Sequence, residues 1–203
     1  MSERHRLGIL LSGRGSNFLA IAAAIAQGHL PNAEIAVVLS NRGDAPGITA
    51  AQNAGFATQV IEPRGRKRAE HDAEIVASLQ AHRVDLVCLA GYMRLLSPGF
   101  VRAFPQRILN IHPSLLPAFP GLDAQQQALV YGVAVTGCTV HFVDEELDHG
   151  VIVLQKVVPV LAEDDEHTLS ARILEQEHLA YREAIARVLS GNFSVVGRRY
   201  LPR

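Results

Sequence analysis

Cysteine is scarce in this chain, with two in 203 residues. Both, Cys88 and Cys138, lie inside apolar strand-like runs. They read as reduced core residues of a cytoplasmic protein, not as a disulfide framework. No Cys/His cluster has zinc spacing, so no metal is expected. A charge excess is missing too: 19 Lys+Arg against 20 Asp+Glu leave a formal net charge of −1. No global basic field recruits nucleic acid. Long hydrophobic runs are absent, and a stretch such as Leu19 to Ala26 is far too short to cross a bilayer. The opening Met1-Ser2-Glu3-Arg4-His5-Arg6 leads into a short apolar run only, which does not make a secretory signal. The sequence also lacks the two carboxylates of a glycosidase and a Ser or Cys nucleophile in a recognised elbow. What is present is a chain with 48% hydrophobic and 19% charged residues. That balance suits a well-packed α/β core, and the length fits one domain over residues 1–203. No internal repeat or interdomain linker interrupts it.

Strands and helices alternate along most of the chain. Arg6 to Ser12 predicts a buried strand, Gly13-Arg14-Gly15-Ser16-Asn17 a glycine-rich turn, and Phe18 to Gln27 a helix. Such a turn points backbone N–H groups at an anion, and the helix dipole adds to the attraction. It is not the dinucleotide fingerprint, because Phe18 stands where the third glycine belongs. The next strand, Glu34 to Leu39, ends in Ser40-Asn41-Arg42 without a ribose-binding acid. Nor is it a Walker A loop. A phosphate site and a plain tight turn both fit. Pro46 to Ala54 predicts a helix and Ala57 to Ile61 a strand. The basic loop Pro63 to Arg68, leading into a helix to about His82, is a solvated surface or a local anchor for a carboxylate-bearing ligand. Val84 to Ala90 is a further buried strand, and Ser97-Pro98 opens a short helix.

The chain is organised around Ile108 to Pro117. Ile108, Leu109 and Ile111 make a buried strand. Asn110 and His112 sit two apart and so share a face. Pro113 cannot continue a central ladder. The strand therefore delivers an amide and an imidazole at its carboxyl end, where open α/β sheets bind ligands. A His in that place is most often a hydrogen-bonded structural residue. Beyond it, Leu115 to Leu122 is an ordered loop, and Asp123 is placed to cap a helix to about Tyr131. Val135 to Val143 and Val151 to Val160 predict two strands. The acidic link Asp144-Glu145-Glu146-Leu147-Asp148-His149-Gly150 is too short for a crossover, so the pair is antiparallel. Glu163 to Glu166 favours the start of a long last helix, about His167 to Leu189. Glu177 falls on or beside that helix's apolar stripe of Leu169, Ile173, Ala180, Ala184 and Val188. An inward carboxylate needs a partner, whereas one at the stripe's edge reaches water. Ser190 to Arg203 carries no clear signal. The fold class is α/β, a doubly wound, mostly parallel sheet with an antiparallel C-terminal strand pair.

Asn110, His112 and Asp148 form the candidate chemical set. Asn110 offers an uncharged N–H to a developing oxyanion, and His112 can be imidazole or imidazolium. Asp148 can hold His112 charged or accept a proton from an attacking amine, directly or through water. Donor, imidazole and carboxylate without a covalent nucleophile suit direct acyl transfer from a carrier to an amine.

At this point the residues carry a resemblance. Asn110-Ile111-His112-Pro113-Ser114-Leu115-Leu116-Pro117 with Glu146-Leu147-Asp148-His149-Gly150 resembles the signature of the folate-dependent formyltransferase family, whose fold is Rossmann-like. Gly13 to Asn17, Ala90 to Leu96, Pro120-Gly121-Leu122 and Gln176-Glu177-His178 narrow it to the branch that formylates glycinamide ribonucleotide in purine synthesis. The match runs from about Leu7 to Leu189. The resemblance implies formyl transfer from 10-formyltetrahydrofolate as co-substrate, with Asn110, His112 and Asp148 as the catalytic trio. It implies that Gly15, Ser16 and Asn17 hold the ribonucleotide phosphate and Glu177 the glycinamide end. It implies a folate site of Arg68, Met93, Arg94, Leu95, Leu96, Asn110, Asp144, Glu145, Glu146, Leu147 and Asp148. There the backbone after Met93 reads the pterin edge and Arg68 meets the glutamate tail. Both partners are then small molecules, with no nucleic acid and no membrane, and a homodimer is left open.

Known members carry a basic residue at Ala118, histidines at Asp123 and Gln125, and often a small residue at His149. The nearest rival is a 10-formyltetrahydrofolate hydrolase, in which water takes the formyl group. It resembles this fold with an added N-terminal regulatory domain, and here the first strand begins by Arg6. A methionyl-tRNA formyltransferase would carry a C-terminal RNA-binding domain, and the chain ends at Arg203. A non-catalytic nucleotide-binding domain would keep the Gly15 turn without reason to gather Asn110, His112 and Asp148.

Overall fold

The computed structural model describes residues 4–203, so the Met1-Ser2-Glu3 part of the opening segment lies outside the described residues. The chain divides into two compact units, with the boundary between Leu109 and Asn110. Among the described residues no helix is long and apolar enough to cross a membrane.

The first unit alternates strands and helices. Its strands are β1 (His5–Leu11), β2 (Ala33–Ser40), β3 (Thr58–Val60) and β4 (Leu86–Leu89), and its helices are α1 (Ser16–Ala26), α2 (Pro46–Asn53), α3 (Arg68–Ala81) and α4 (Pro98–Ala103). The strands lie in the order β3-β2-β1-β4, and each pair is parallel. Central parallel strands are covered on both faces and therefore read as continuous apolar runs. Leu7, Ile9, Leu10, Leu11, Val37, Val38 and Leu39 are accordingly buried without alternation. Gly8 is needed in β1, because a Cβ there would lie 2.5 Å from Leu79. Ser97 caps α4 by accepting from the Phe100 N–H, with Pro98 in the first turn, as the sequence predicts.

Strand β5 (Ile108–His112) runs across the boundary. The second unit holds α5 (Ala124–Tyr131), β6 (Val135–Phe142), β7 (Ile152–Pro159), α6 (Glu166–Leu189), β8 (Phe193–Val196) and β9 (Arg199–Pro202). Their order is β6-β7-β9-β8. The β6–β7 pair is antiparallel, as expected from its short acidic link. Helix α6 opens on a capping box in which Asp165 Oδ1 accepts from Thr168 N–H at 2.8 Å and Thr168 Oγ1 accepts from Asp165 N–H at 3.0 Å. It packs on β6, β7 and α5 and buries Leu169, Ile173, Ala180, Tyr181, Ala184 and Ile185.

Three expectations are corrected. The tail is not featureless: β8 and β9 form an antiparallel hairpin. Phe193 stacks on Phe142 at 6.0 Å and on Tyr200 at 4.9 Å, contacts that local pattern does not reveal. Asp123 stands at the N-cap position of α5 but adopts a left-handed conformation and its side chain accepts no cap bond. Element ends shift by up to two residues; α1 begins at Ser16 and β4 at Leu86.

Candidate active site

Strand β5 ends as predicted, with half-buried Asn110 and buried His112 two residues apart. Beyond it the chain is fastened to β6 and β7 through Thr139. Its hydroxyl donates to Ser114 O at 2.7 Å and accepts from Leu116 N–H at 3.0 Å and from Gln155 Nε2 at 2.9 Å. Ser114 Oγ donates to Ala118 O. The loop so held brings Phe119 O within 2.8 Å of His112 Nε2. A carbonyl only accepts, so Nε2 carries a proton and is committed to the loop. The ring nitrogen left for chemistry is Nδ1.

Asp148 comes from the acidic link between β6 and β7 and meets that nitrogen. Its Oδ2 is 3.4 Å from His112 Nδ1 and accepts the Gly121 N–H at 2.8 Å. Both side chains are more than nine-tenths buried. The residue sits in the left-handed region with φ +48°, which Asp tolerates better than most residues. The turn has no slack: a Cβ on the next glycine, Gly150, would lie 1.7 Å from Phe142 O.

A fourth side chain completes the cluster. His141 on β6 is buried, with Nε2 3.2 Å from Asn110 Nδ2 and 3.8 Å from Asp148 Oδ1. Its Nδ1 lies 2.8 Å from Phe142 O and must donate to it. Burial pushes the imidazole toward its neutral form, below its ordinary pKa. A neutral ring with its proton on Nδ1 leaves Nε2 an acceptor. It therefore takes one N–H of Asn110, fixing which way the amide faces and leaving the second N–H to a ligand. Sequence pattern does not single out His141, because β6 is buried on both faces and shows no alternation. The cluster thus presents an oriented amide donor, an imidazole with one nitrogen to spare and a buried carboxylate. It suits stabilisation of a tetrahedral oxyanion and transfer of one proton.

Glu177 is buried on α6, so the inward of its two predicted placements is the observed one. Burial first, and then the charge of Glu177, push the Cys138 thiol up to about 12. Cys88 and Cys138 are buried and form no disulfide.

Of the remaining predicted residues, Asp144 to Leu147 lie in the link between β6 and β7 of the second unit, and the others lie in the first unit. Gly15 has φ +76° and stands at the N-cap of α1 with no side-chain cap bond, a helix N-terminus of the kind that attracts anions. A Cβ on Gly15 would lie 2.8 Å from Gly47 Cα, so only glycine fits. Met93 to Leu96 are tied at both ends: Met93 N–H donates to Ser12 Oγ at 2.8 Å, and Ser97 N–H donates to buried Asp72 at 2.6 Å. Ser12 in turn donates to Asn41 Oδ1 at 2.6 Å. This fixes the backbone between them while Met93 and Leu95 stay exposed. In the basic loop, Arg64 pairs with Glu62 and Arg66 with Glu74. Among the described residues, Lys67 and Arg68, both exposed at the start of α3, are the cations of that run outside these two ion pairs.

Residues 5–185 match the formyl transferase family. The chain belongs to the formyl transferase family. Its formyl transferase relatives include the phosphoribosylglycinamide formyltransferase of Escherichia coli (strain K12). That protein is 42% identical over 188 residues, covering 92% of this chain and 88% of the relative. The trifunctional purine biosynthetic protein adenosine-3 of Drosophila melanogaster is 46% identical over 193 residues. This chain spans 14% of that protein's length. Among solved formyl transferases, the glycinamide ribonucleotide transformylase 1 of Symbiobacterium toebii superposes with a TM-score of 0.96 at 48% identity, covering 100% of this chain and 95% of that one. The mostly parallel α/β sheet with an antiparallel strand pair is thus a formyl transferase fold.

Proposed function

We propose that this chain transfers a formyl group from 10-formyltetrahydrofolate to the amine of glycinamide ribonucleotide, a step in de novo purine biosynthesis. The observation that carries the reading is the convergence of Asn110, His112 and Asp148, with Asn110 oriented by His141. The relatives' names supply the substrate pair. The family match takes in most of both units, which supports reading residues 1–203 as one formyltransferase domain. Buried cysteines outside any disulfide favour residence in the cytoplasm.

In this mechanism the neutral amine attacks the formyl carbon directly. A C–N bond forms and the carbonyl electron pair moves onto oxygen. The free N–H of Asn110 donates to that oxyanion, and His112 offers the proton on Nδ1, since Nε2 is held by Phe119. Asp148 stabilises the imidazolium and takes the proton lost by the amine. Its Oδ1 serves this role, because Oδ2 is already engaged by Gly121. The bond from the formyl carbon to the folate nitrogen then breaks, and that nitrogen leaves with the proton that Asp148 took from the amine, passed on directly or through water. Glu177 orients the amine. Gly15, Ser16 and Asn17 bind the phosphate. The backbone from Met93 to Leu96 meets the pterin edge, Arg68 the glutamate tail, and Asp144 to Asp148 complete the folate site.

The test is to supply 10-formyltetrahydrofolate with and without glycinamide ribonucleotide and follow both products. Formylated ribonucleotide and tetrahydrofolate, formed only when the amine is present, support transfer. Formate released at the same rate without the amine identifies a hydrolase and overturns the proposal.

A further inference from the structure

The C-terminal hairpin lies outside the family match, which ends at residue 185, yet it reaches the segment that carries Asp148. Its turn is Gly197-Arg198, between β8 and β9. Arg198 Nη2 donates to the carbonyl of His149. The same guanidinium packs against the His149 ring, with Nη1 2.5 Å from Nε2 and 3.0 Å from Nδ1. On its other side the ring donates from Nδ1 to Asp144 Oδ2 at 2.8 Å. The imidazole is thus held between a cation from the hairpin and a carboxylate from the start of the acidic segment. His149 is the residue after Asp148, and Asp144 also accepts the Glu146 N–H at 3.0 Å.

That segment needs holding. Residues 144–148 carry four carboxylates, which repel one another. The segment has no helical or strand ladder of its own. Asp148 adds a left-handed backbone. The hairpin brings a cation to the segment, and it is seated by Phe193, which stacks on Phe142. Phe142 is also the residue whose carbonyl fixes the His141 ring.

We propose that Arg198 is a positioning residue for the transfer reaction: through the backbone and ring of His149 it holds residues 144–149, and with them the Asp148 carboxylate, in working geometry. The role in catalysis rests on the function proposed above; the clamp itself does not. Arg198 is exposed, so its replacement leaves the core intact.

The experiment combines hydrogen exchange with kinetics on Arg198→Ala, Arg198→Lys, His149→Ala and the double variant. In Arg198→Ala, amides of residues 144–149 exchange about fivefold to tenfold faster, the loss expected for one solvent-exposed hydrogen bond. The same variant loses kcat by a similar factor while KM for the ribonucleotide is unchanged. Arg198→Lys, which retains one donor to the carbonyl, recovers part of both losses. The double variant is no worse than the weaker single one, because both remove one bridge. Unchanged exchange at 144–149 overturns the clamp. Faster exchange with unchanged kcat overturns its role in positioning, and additive losses overturn the route through His149. A wild-type protein that transfers no formyl group defeats the functional reading, and the exchange result alone then decides the clamp.

Discussion

Replacing Asp148 by Asn removes the charge of the cluster and almost nothing else. Asn is close to isosteric and tolerates φ +48° as well as Asp does. Its carbonyl oxygen can still accept the Gly121 N–H that Asp148 holds at 2.8 Å. The fold is therefore expected to survive. The chemistry is not. At 3.4 Å a carboxylate and an imidazolium attract by about 5 kcal/mol at an effective dielectric near 20, and that support for protonated His112 disappears. The acceptor for the amine's proton disappears with it, and such a proton acceptor typically contributes about 10²–10⁴-fold. These are two views of one interaction and do not add. Asp148→Asn should thus lower the single-turnover rate by about 10²–10⁴-fold, or roughly 3–5 kcal/mol of barrier. Tm should stay close to wild type. A stably folded variant that keeps turnover within about tenfold of wild type would refute the reasoning, because no general-base term of the usual size would then reside in that carboxylate.

Other consequences concern stability and binding. Burial lowers the pKa of His141, so below its ordinary value near 6.5 the unfolded chain binds a proton that the folded ring resists. Stability should therefore be flat above that pH and fall as pH drops through it, by up to about 1.4 kcal/mol per pH unit for this residue. His178, shifted the same way by burial, adds to the slope. Chemical denaturation from pH 7 to 5 should show a shallower decline in His141→Gln than in wild type, and equal slopes would count against a neutral buried ring. Gly150→Ala places a Cβ 1.7 Å from Phe142 O. The turn must shift at a cost of about 1–3 kcal/mol, and the Asp148 carboxylate moves with it. Loss of both Tm and kcat is expected, and a variant with wild-type values would show that the turn has slack. Glu177→Gln should raise KM for the ribonucleotide about tenfold or more, the worth of a hydrogen bond to a charged group. It should also let the Cys138 thiol titrate lower, since Glu177 contributes to holding it up to about 12. An unchanged KM would remove Glu177 from the amine site.

Most of the fold is legible because its strands are continuous apolar runs and its turns carry Gly, Pro and Asn. The short link from Asp144 to Gly150 forces β6 and β7 antiparallel, an inference from chain length alone. The site's core is legible for a related reason: Asn110 and His112 share a strand face, and Pro113 ends the strand. His141 is not, because the register that sets it opposite Asn110 is a tertiary fact. The hairpin β8–β9 is also hidden. Its strands have four residues each, and what seats it is Phe193 on Phe142, fifty-odd residues away in sequence. Asp123 reads as a cap by type, but its left-handed backbone turns the side chain away from that use.

The central claim is that an oriented amide on β5 stabilises the charge that develops on the formyl oxygen. The most direct measurement is the single-turnover rate of Asn110→Ala with both substrates saturating, alongside its thermal unfolding. The account predicts formation of formylated ribonucleotide slowed by about 100- to 1000-fold in a protein that melts as a folded unit. Near wild-type turnover from such a folded variant would contradict it.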